Sequence, residues 1–172
     1  QSVLDQTYQN WELIIVDDCS TDNTDEVVAS MKDERIRYLK NEKNSGAAVS
    51  RNRALREAKG RWITFLDSDD IWMPEKLKKQ ISFMEKNGYS FSYTNYEEID
   101  VEGKETGVKV TGPKKVTKTG MFNYCWLGCL TVMYDRDVIG QIQIEDIKKN
   151  NDYAMWLKVC KKADCYLLNE YL

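Results

Sequence analysis

The sequence predicts an α/β sandwich with a mostly parallel central sheet, and three observations carry that prediction. Short apolar runs, β-branched in part, end abruptly in acids, as strands do when a parallel sheet is covered on both faces. They alternate with segments of helical spacing in the order β-α-β-α-β-α through the first half of the chain. Glycine and proline stand at the joints of that half, at Gly46, Gly60, Gly88 and Pro74.

Taken in order, WELIIVDD (11–18) reads as the first strand, and Asp-Cys-Ser-Thr-Asp after it as a polar turn. Residues 24–31 read as a helix with Asp22 or Thr24 at its N-cap and acids in its first turn. RIRYLKN (35–41) alternates as the next strand. Past the Asn44-Ser45-Gly46 turn, residues 47–59 form a helix rich in Ala, Arg and Glu that Gly60 closes. RWITFLD (61–67) is a third buried strand. Pro74 then opens a helix with Leu77, Ile81 and Met84 on one face, and Gly88 stops it.

YSFSYTNYEEI (89–99) alternates as a strand, joined by a hairpin at Gly103 to ETGVKV (105–110). Periodicity weakens beyond Thr111. TGPKKVTK (111–118) reads as a lysine-rich loop, either simply solvated or close to an acceptor or anionic surface. CLTVMY (129–134) reads as a strand, and residues 146–163 as a final helix with Ala154, Leu157 and Trp156 or Cys160 turned inward.

The 172 residues suit one domain, and 42% apolar with 31% charged residues argues against disorder or a fibrous repeat. A net charge of −3 argues against a nucleic-acid or polyanion binder. The sequence has no histidine, which excludes histidine catalysis. Its five cysteines form no disulfide framework, and the spacings of Cys125 with Cys129 and of Cys160 with Cys165 fit buried thiols better than zinc ligands. That usage points to a reducing intracellular compartment. No stretch approaches the roughly 20 apolar residues of a membrane span. The opening SVLDQTYQNWEL (2–13) reads as a helix end leading into a strand, so a chain lacking its N-terminal strand is expected.

Ligands of an open α/β sheet sit beyond the carboxyl ends of its strands, where two predicted strands end in acids: Asp17-Asp18 and Asp67-Ser68-Asp69-Asp70. Clustered carboxylates are costly unless they share something positive. Without histidine, hard oxygen ligands point to Mg²⁺ or Mn²⁺, completed by phosphate oxygens and water. Turn capping is the competing role for Asp17 and Asp18, and an N-cap before the Pro74 helix for Asp70. Between the two acidic ends lies NSGAAVSRNR (44–53), whose helix N-terminus with Arg51 and Arg53 is placed to meet a diphosphate.

Three motifs in order, SVLDQTYQNWELIIVDDCSTDNT, NSGAAVSRNRALREAKGRWITFLDSDD and PEKL, with a looser match at NNDYAMWLKV, resemble the family 2 glycosyltransferases of the GT-A fold. The resemblance implies an inverting transfer from a nucleotide-diphosphate sugar, with a bias to UDP, to an acceptor hydroxyl in polysaccharide or glycoconjugate synthesis. It implies that Asp17 and Asp18 contact base and ribose and that Arg51 lies near the donor. Asp67 would face ribose or sugar, and Asp69, with Asp67 beside it, would hold Mg²⁺ or Mn²⁺. Asp152 of NNDYAMWL would be the general base, with Asn151 replacing the family's preceding acid; a helix N-cap is the other reading of Asp152.

A single catalytic domain is expected over 1–172, with a nucleotide-sugar half at 1–96 and an acceptor-side half at 97–172. The resemblance also implies a carbohydrate or lipid-linked acceptor and a cytoplasmic place, compatible with peripheral association at the inner face of a bacterial membrane. A binding scaffold on the same sheet, or a nucleotidyltransferase, is the alternative; the latter normally needs a glycine-rich basic loop after the first strand, which is missing here.

Overall fold

In the computed structural model, which describes residues 1–147 and 149–172, the acidic tip of the first strand belongs to a parallel pair. Strand β1 (Leu13–Asp17) runs beside β2 (Ile36–Lys40) in a register that sets Asp17 opposite Lys40. Helix α1 (Thr24–Ser30) makes the crossover, and α2 (Ala47–Glu57) leads from β2 to β3 (Trp62–Thr64) and packs on β1. β1 and β2 are half-buried for most of their length and not covered on both faces.

The second sheet is mixed. Helix α3 (Lys76–Asn87) precedes β4 (Phe91–Ile99) and β5 (Glu105–Val110), which form the expected antiparallel hairpin. After them come β6 (Lys115–Val116), α4 (Lys118–Asn123), a 3₁₀ turn at Cys129–Thr131, β7 (Met133–Asp135), α5 (Arg136–Ile139), α6 (Asn151–Val159) and β8 (Cys165–Tyr171). Strands follow the order β3-β7-β4-β8-β6, with β5 on β4; β4 and β8 are parallel, the other pairs antiparallel.

Two apolar clusters flank this sheet, and alternation along β4 explains the split. Phe91 and Tyr93 face Trp156, Met155 and Val159 of α6, with Phe65 edge-on to Trp156 at 5.6 Å and 71°. Ser92 faces the other way, where its Oγ accepts from Gln80 of α3 at 3.0 Å. Leu77, Ile81 and Met84 of α3 pack there with Trp72, Met133 and Val3, as their spacing predicts.

Several boundaries differ from expectation. α2 ends at Glu57 because Ala58 turns extended; the amides of Lys59 and Gly60 then donate to Glu12 Oε1 at 2.6 and 2.8 Å, and Gly60 takes no left-handed turn. Pro74 precedes α3 by a turn in which its carbonyl accepts from Thr7 at 2.8 Å. Gly88 does close α3 in the left-handed region, φ 66°. Residues 111–118 hold β6 and the start of α4, and CLTVMY is half 3₁₀ turn. The final helix is shorter than 146–163, and β8 follows where none was expected; Met155, Trp156, Val159 and Cys160 are buried, Ala154 and Leu157 only partly. Lys148, inside the expected helix, lies outside the described residues.

Candidate active site

Adjacent strand residues point to opposite faces, so Asp17 and Asp18 serve different neighbours. Cys19 follows in the left-handed region, φ 66°, which turns the chain sharply off β1. Asp17 is buried: its carboxylate accepts from the Ser20 amide at 2.8 Å and from Tyr38 Oη at 2.7 Å, with Lys40 Nζ at 3.4 Å. The Ser20 bond, working against burial and helped by Tyr38 and Lys40, holds it well below the usual carboxylate range.

Asp18 turns toward α2. It accepts from the amides of Ser45 at 2.9 Å and Gly46 at 2.6 Å, and from Asn41 Nδ2 at 2.8 Å. Burial alone would raise its pKa, but these bonds, with Ser50, hold it below the ordinary value. Asp18 thus occupies the Ser45 and Gly46 amides just ahead of α2 and leaves the first amides of the helix itself, from Ala47 on, to other acceptors. Arg53 is likewise spent on β2, donating to Lys40 O at 2.7 Å and Asn41 Oδ1 at 2.8 Å.

The next residue of α2 after Ser50 reaches the second acidic end. Arg51 Nη2 donates to both oxygens of Asp67, at 2.6 and 2.8 Å, and its Nη1 donates to Asn151 Oδ1 at 3.0 Å. Burial opposes the charge of Arg51; Cys129, Asp67 and Asp152 together outweigh it and raise its pKa. Asp18 is tied to α2 through Asn41 and Ser50, and Asp67 through Arg51, so both acidic strand ends border the N-terminal turns of α2, a rim that the start of α6 joins through Asn151. Asp17 instead meets β2, through Tyr38 and Lys40.

Asp69 is exposed and makes no hydrogen bond or ion pair among the described residues. Asp70 beside it has a raised pKa, chiefly from burial, with the neighbouring carboxylates of Asp69 and Asp67 adding to it. Asp70 caps nothing on α3, whose N-cap residue is Glu75. Asp152 sits inside the first turn of α6, past the N-cap residue Asn150, so the cap reading does not hold. Cys129 lies within the field of Arg51, Asp67 and Asp152, its thiol pushed up to about 12 chiefly by burial, which keeps it protonated and inert.

Among the described residues no cluster of three His, Cys, Asp or Glu forms a ready cage. The donor set nonetheless fits a hard dication of the Mg²⁺ or Mn²⁺ type, which takes one or two carboxylates and fills its other positions with phosphate oxygens and water. Sequence reasoning missed Asn41, which joins Asp18 to Ser50 Oγ at 2.9 Å and receives Arg53, and it read Asn151 only as a lost acid. The polar turn directly after a strand, NEKNSG, was the available signal for Asn41.

These features can be set beside known proteins. The undecaprenol-linked β-1,3-glucosyltransferase WfgD of Escherichia coli, whose name gives UDP-Glc as donor and α-D-GlcNAc-diphosphoundecaprenol as acceptor, is 45% identical over 168 residues, covering 98% of this chain and 65% of WfgD. S. aureus TarS 1-349, solved in complex with UDP, superposes with a TM-score of 0.80 at 22% identity, over 99% of this chain and 54% of that one. The mannosyltransferase PcManGT of Pyrobaculum calidifontis, solved with GDP-Man and Mn²⁺, reaches 0.70 at 15% identity, over 98% and 50%. The chain thus spans about two thirds of WfgD and about half of the solved chains. These superpositions give it the GT-A α/β fold. The family description "Glycosyl transferase family 2" matches residues 1–133, from before β1 through the acids of both strand ends to β7. On that match the chain belongs to glycosyl transferase family 2.

Proposed function

We propose that this protein transfers a sugar, with inversion, from a UDP-sugar to a hydroxyl of a carbohydrate or lipid-linked acceptor. The observation that carries the reading is the Arg51 bridge, which ties Asp67 at one strand end to the start of the helix bearing Asp152. Donor-side and acceptor-side acids then share one rigid frame, as an in-line displacement requires. The donors named for WfgD and solved with TarS support UDP.

Asp69 would hold Mg²⁺ or Mn²⁺, with Asp67 beside it; PcManGT, solved with Mn²⁺, supports that choice. When bound, the dication offsets the charge that develops on the leaving diphosphate. Arg51 holds the Asp67 carboxylate in place and aims it at the donor. Asp152 accepts the proton of the attacking hydroxyl from the acceptor side. The acid-rich rim suits a centre that becomes cationic in the transition state. Residues 1–96 form the donor half and 97–172 the acceptor half in this reading, apart from the shared rim. The acceptor named for WfgD favours a lipid-linked substrate, which would bring the enzyme to a membrane surface from the cytoplasmic side.

Turnover with UDP-glucose and calorimetric titration of UDP with Mn²⁺ test the assignment together. Asp69→Ala is expected to abolish both, whereas Asp152→Asn keeps nucleotide binding and loses turnover. Normal transfer by both variants would overturn it.

A further inference from the structure

Three aromatic side chains crowd a short exposed segment beside Asp152. Phe122, Tyr124 and Trp126 are 74%, 60% and 41% exposed, and the rings of Tyr124 and Trp126 stand 4.6 Å apart at 56°. Exposed large apolar rings in one place mark an interaction surface. The backbone beneath them is held firmly. Tyr153 Oη, next to Asp152, donates to the carbonyls of Met121 at 2.7 Å and Phe122 at 3.0 Å. From the other side Trp72, two residues past Asp70, donates through Nε1 to Leu130 O at 2.9 Å. Tyr96 lies against the backbone of Gly128, where an added Cβ would come within 3.2 Å of its ring.

The segment therefore spans the gap between the acids of the 67–70 loop and the helix of Asp152, with its rings facing solvent. We infer that Tyr124 and Trp126 form a stacking platform for a pyranose ring of the acceptor, a role that rests on the transfer reading above. A sugar ring offers an apolar C–H face to an aromatic ring and keeps its hydroxyls at the edge, where the phenol and indole N–H can meet them. The tilted pair makes a corner suited to one ring, with one hydroxyl directed toward Asp152. A bilayer is the competing occupant that the test separates: Lys109 and Lys115 are paired, with Glu97 at 2.8 Å and Asp164 at 2.7 Å, while the exposed Lys114 and Lys118 make no ion pair among the described residues.

Saturation-transfer NMR on the full chain with methyl glycosides of glucose, galactose and GlcNAc tests the platform without any need for turnover. The wild type is expected to saturate protons of one pyranose face. Trp126→Ala and Tyr124→Ala weaken that binding about tenfold, Trp126→Phe restores most of it, and Mn²⁺–UDP affinity stays unchanged throughout. Absence of any glycoside signal in the wild type, or unaltered signals in both alanine variants, would overturn the platform. So would dependence on Trp126 seen only with octyl glycosides or anionic vesicles, which would mark a lipid contact. Glycoside binding in a wild type that fails to bind UDP would support the platform and sink the transferase reading instead.

Discussion

Arg51 and Asp67 are joined through one guanidinium nitrogen that reaches both carboxylate oxygens, at 2.6 and 2.8 Å, while the second nitrogen extends to Asn151 at 3.0 Å. Three elements distant in sequence are thereby held to one side chain. Lysine, a single compact charge, cannot span both directions. Arg51→Lys should cut turnover about 10²-fold through misalignment of the Asp67 loop and α6. Because Asp67 is 42% exposed, solvent screens the pair and the stability loss should stay within about 1 kcal/mol. Steady-state kinetics set against urea unfolding separate the two effects.

Asp18 fills the amide nest ahead of α2, and an asparagine there would turn an NH₂ toward at least one of the N–H groups it now accepts. Asp18→Asn should cost about 1–3 kcal/mol and loosen the 41–46 turn. Hydrogen exchange at the Ser45 and Gly46 amides checks the location as well as the size of the effect.

Asp17 gives the fold an acid-sensitive contact. Its folded pKa lies below the ordinary 3.8, so its contribution is fully present above that value and is lost as pH falls through the lowered one. Urea midpoints measured from about pH 7 down to about pH 3 should decline, and Asp17→Asn should make the decline shallower while starting from a lower midpoint.

Lys76 works in the opposite range. It is fully buried, bonded to Gln80 Oε1 at 2.6 Å, and burial brings its pKa from 10.5 down to about 7. The unfolded chain holds this proton more tightly, so the contribution of Lys76 to stability rises with pH between those two values. Lys76→Met removes that contribution, and denaturation curves at successive pH values should show the variant gaining less than the wild type between about pH 7 and the onset of cysteine titration near 9.

The fold class was legible because its signals are local: the strand of Leu13–Asp17 and the Leu77, Ile81, Met84 face need only a few neighbouring residues to be recognised. β8 was not legible, since CYLLNEY lacks apolar–polar alternation and takes its order from pairing with β4 and β6. β6 and α4 hide in a lysine-rich stretch without periodicity; their order comes from pairing with β8 and from the Tyr153 bonds. At the site, the acids themselves stand out in the sequence. Their partners do not, because Arg51 and Asp67 or Asp18 and Gly46 meet only through tertiary folding, and nothing in the spelling of VDDCS says which carboxylate turns inward.

A crystal structure soaked with Mn²⁺ and UDP, read by anomalous scattering, locates the metal outright. A manganese ion is expected on the Asp69 carboxylate, shared with the diphosphate, on the rim that Arg51 and Asp67 define. Manganese and nucleotide bound together at a site away from Asp69 would contradict that placement.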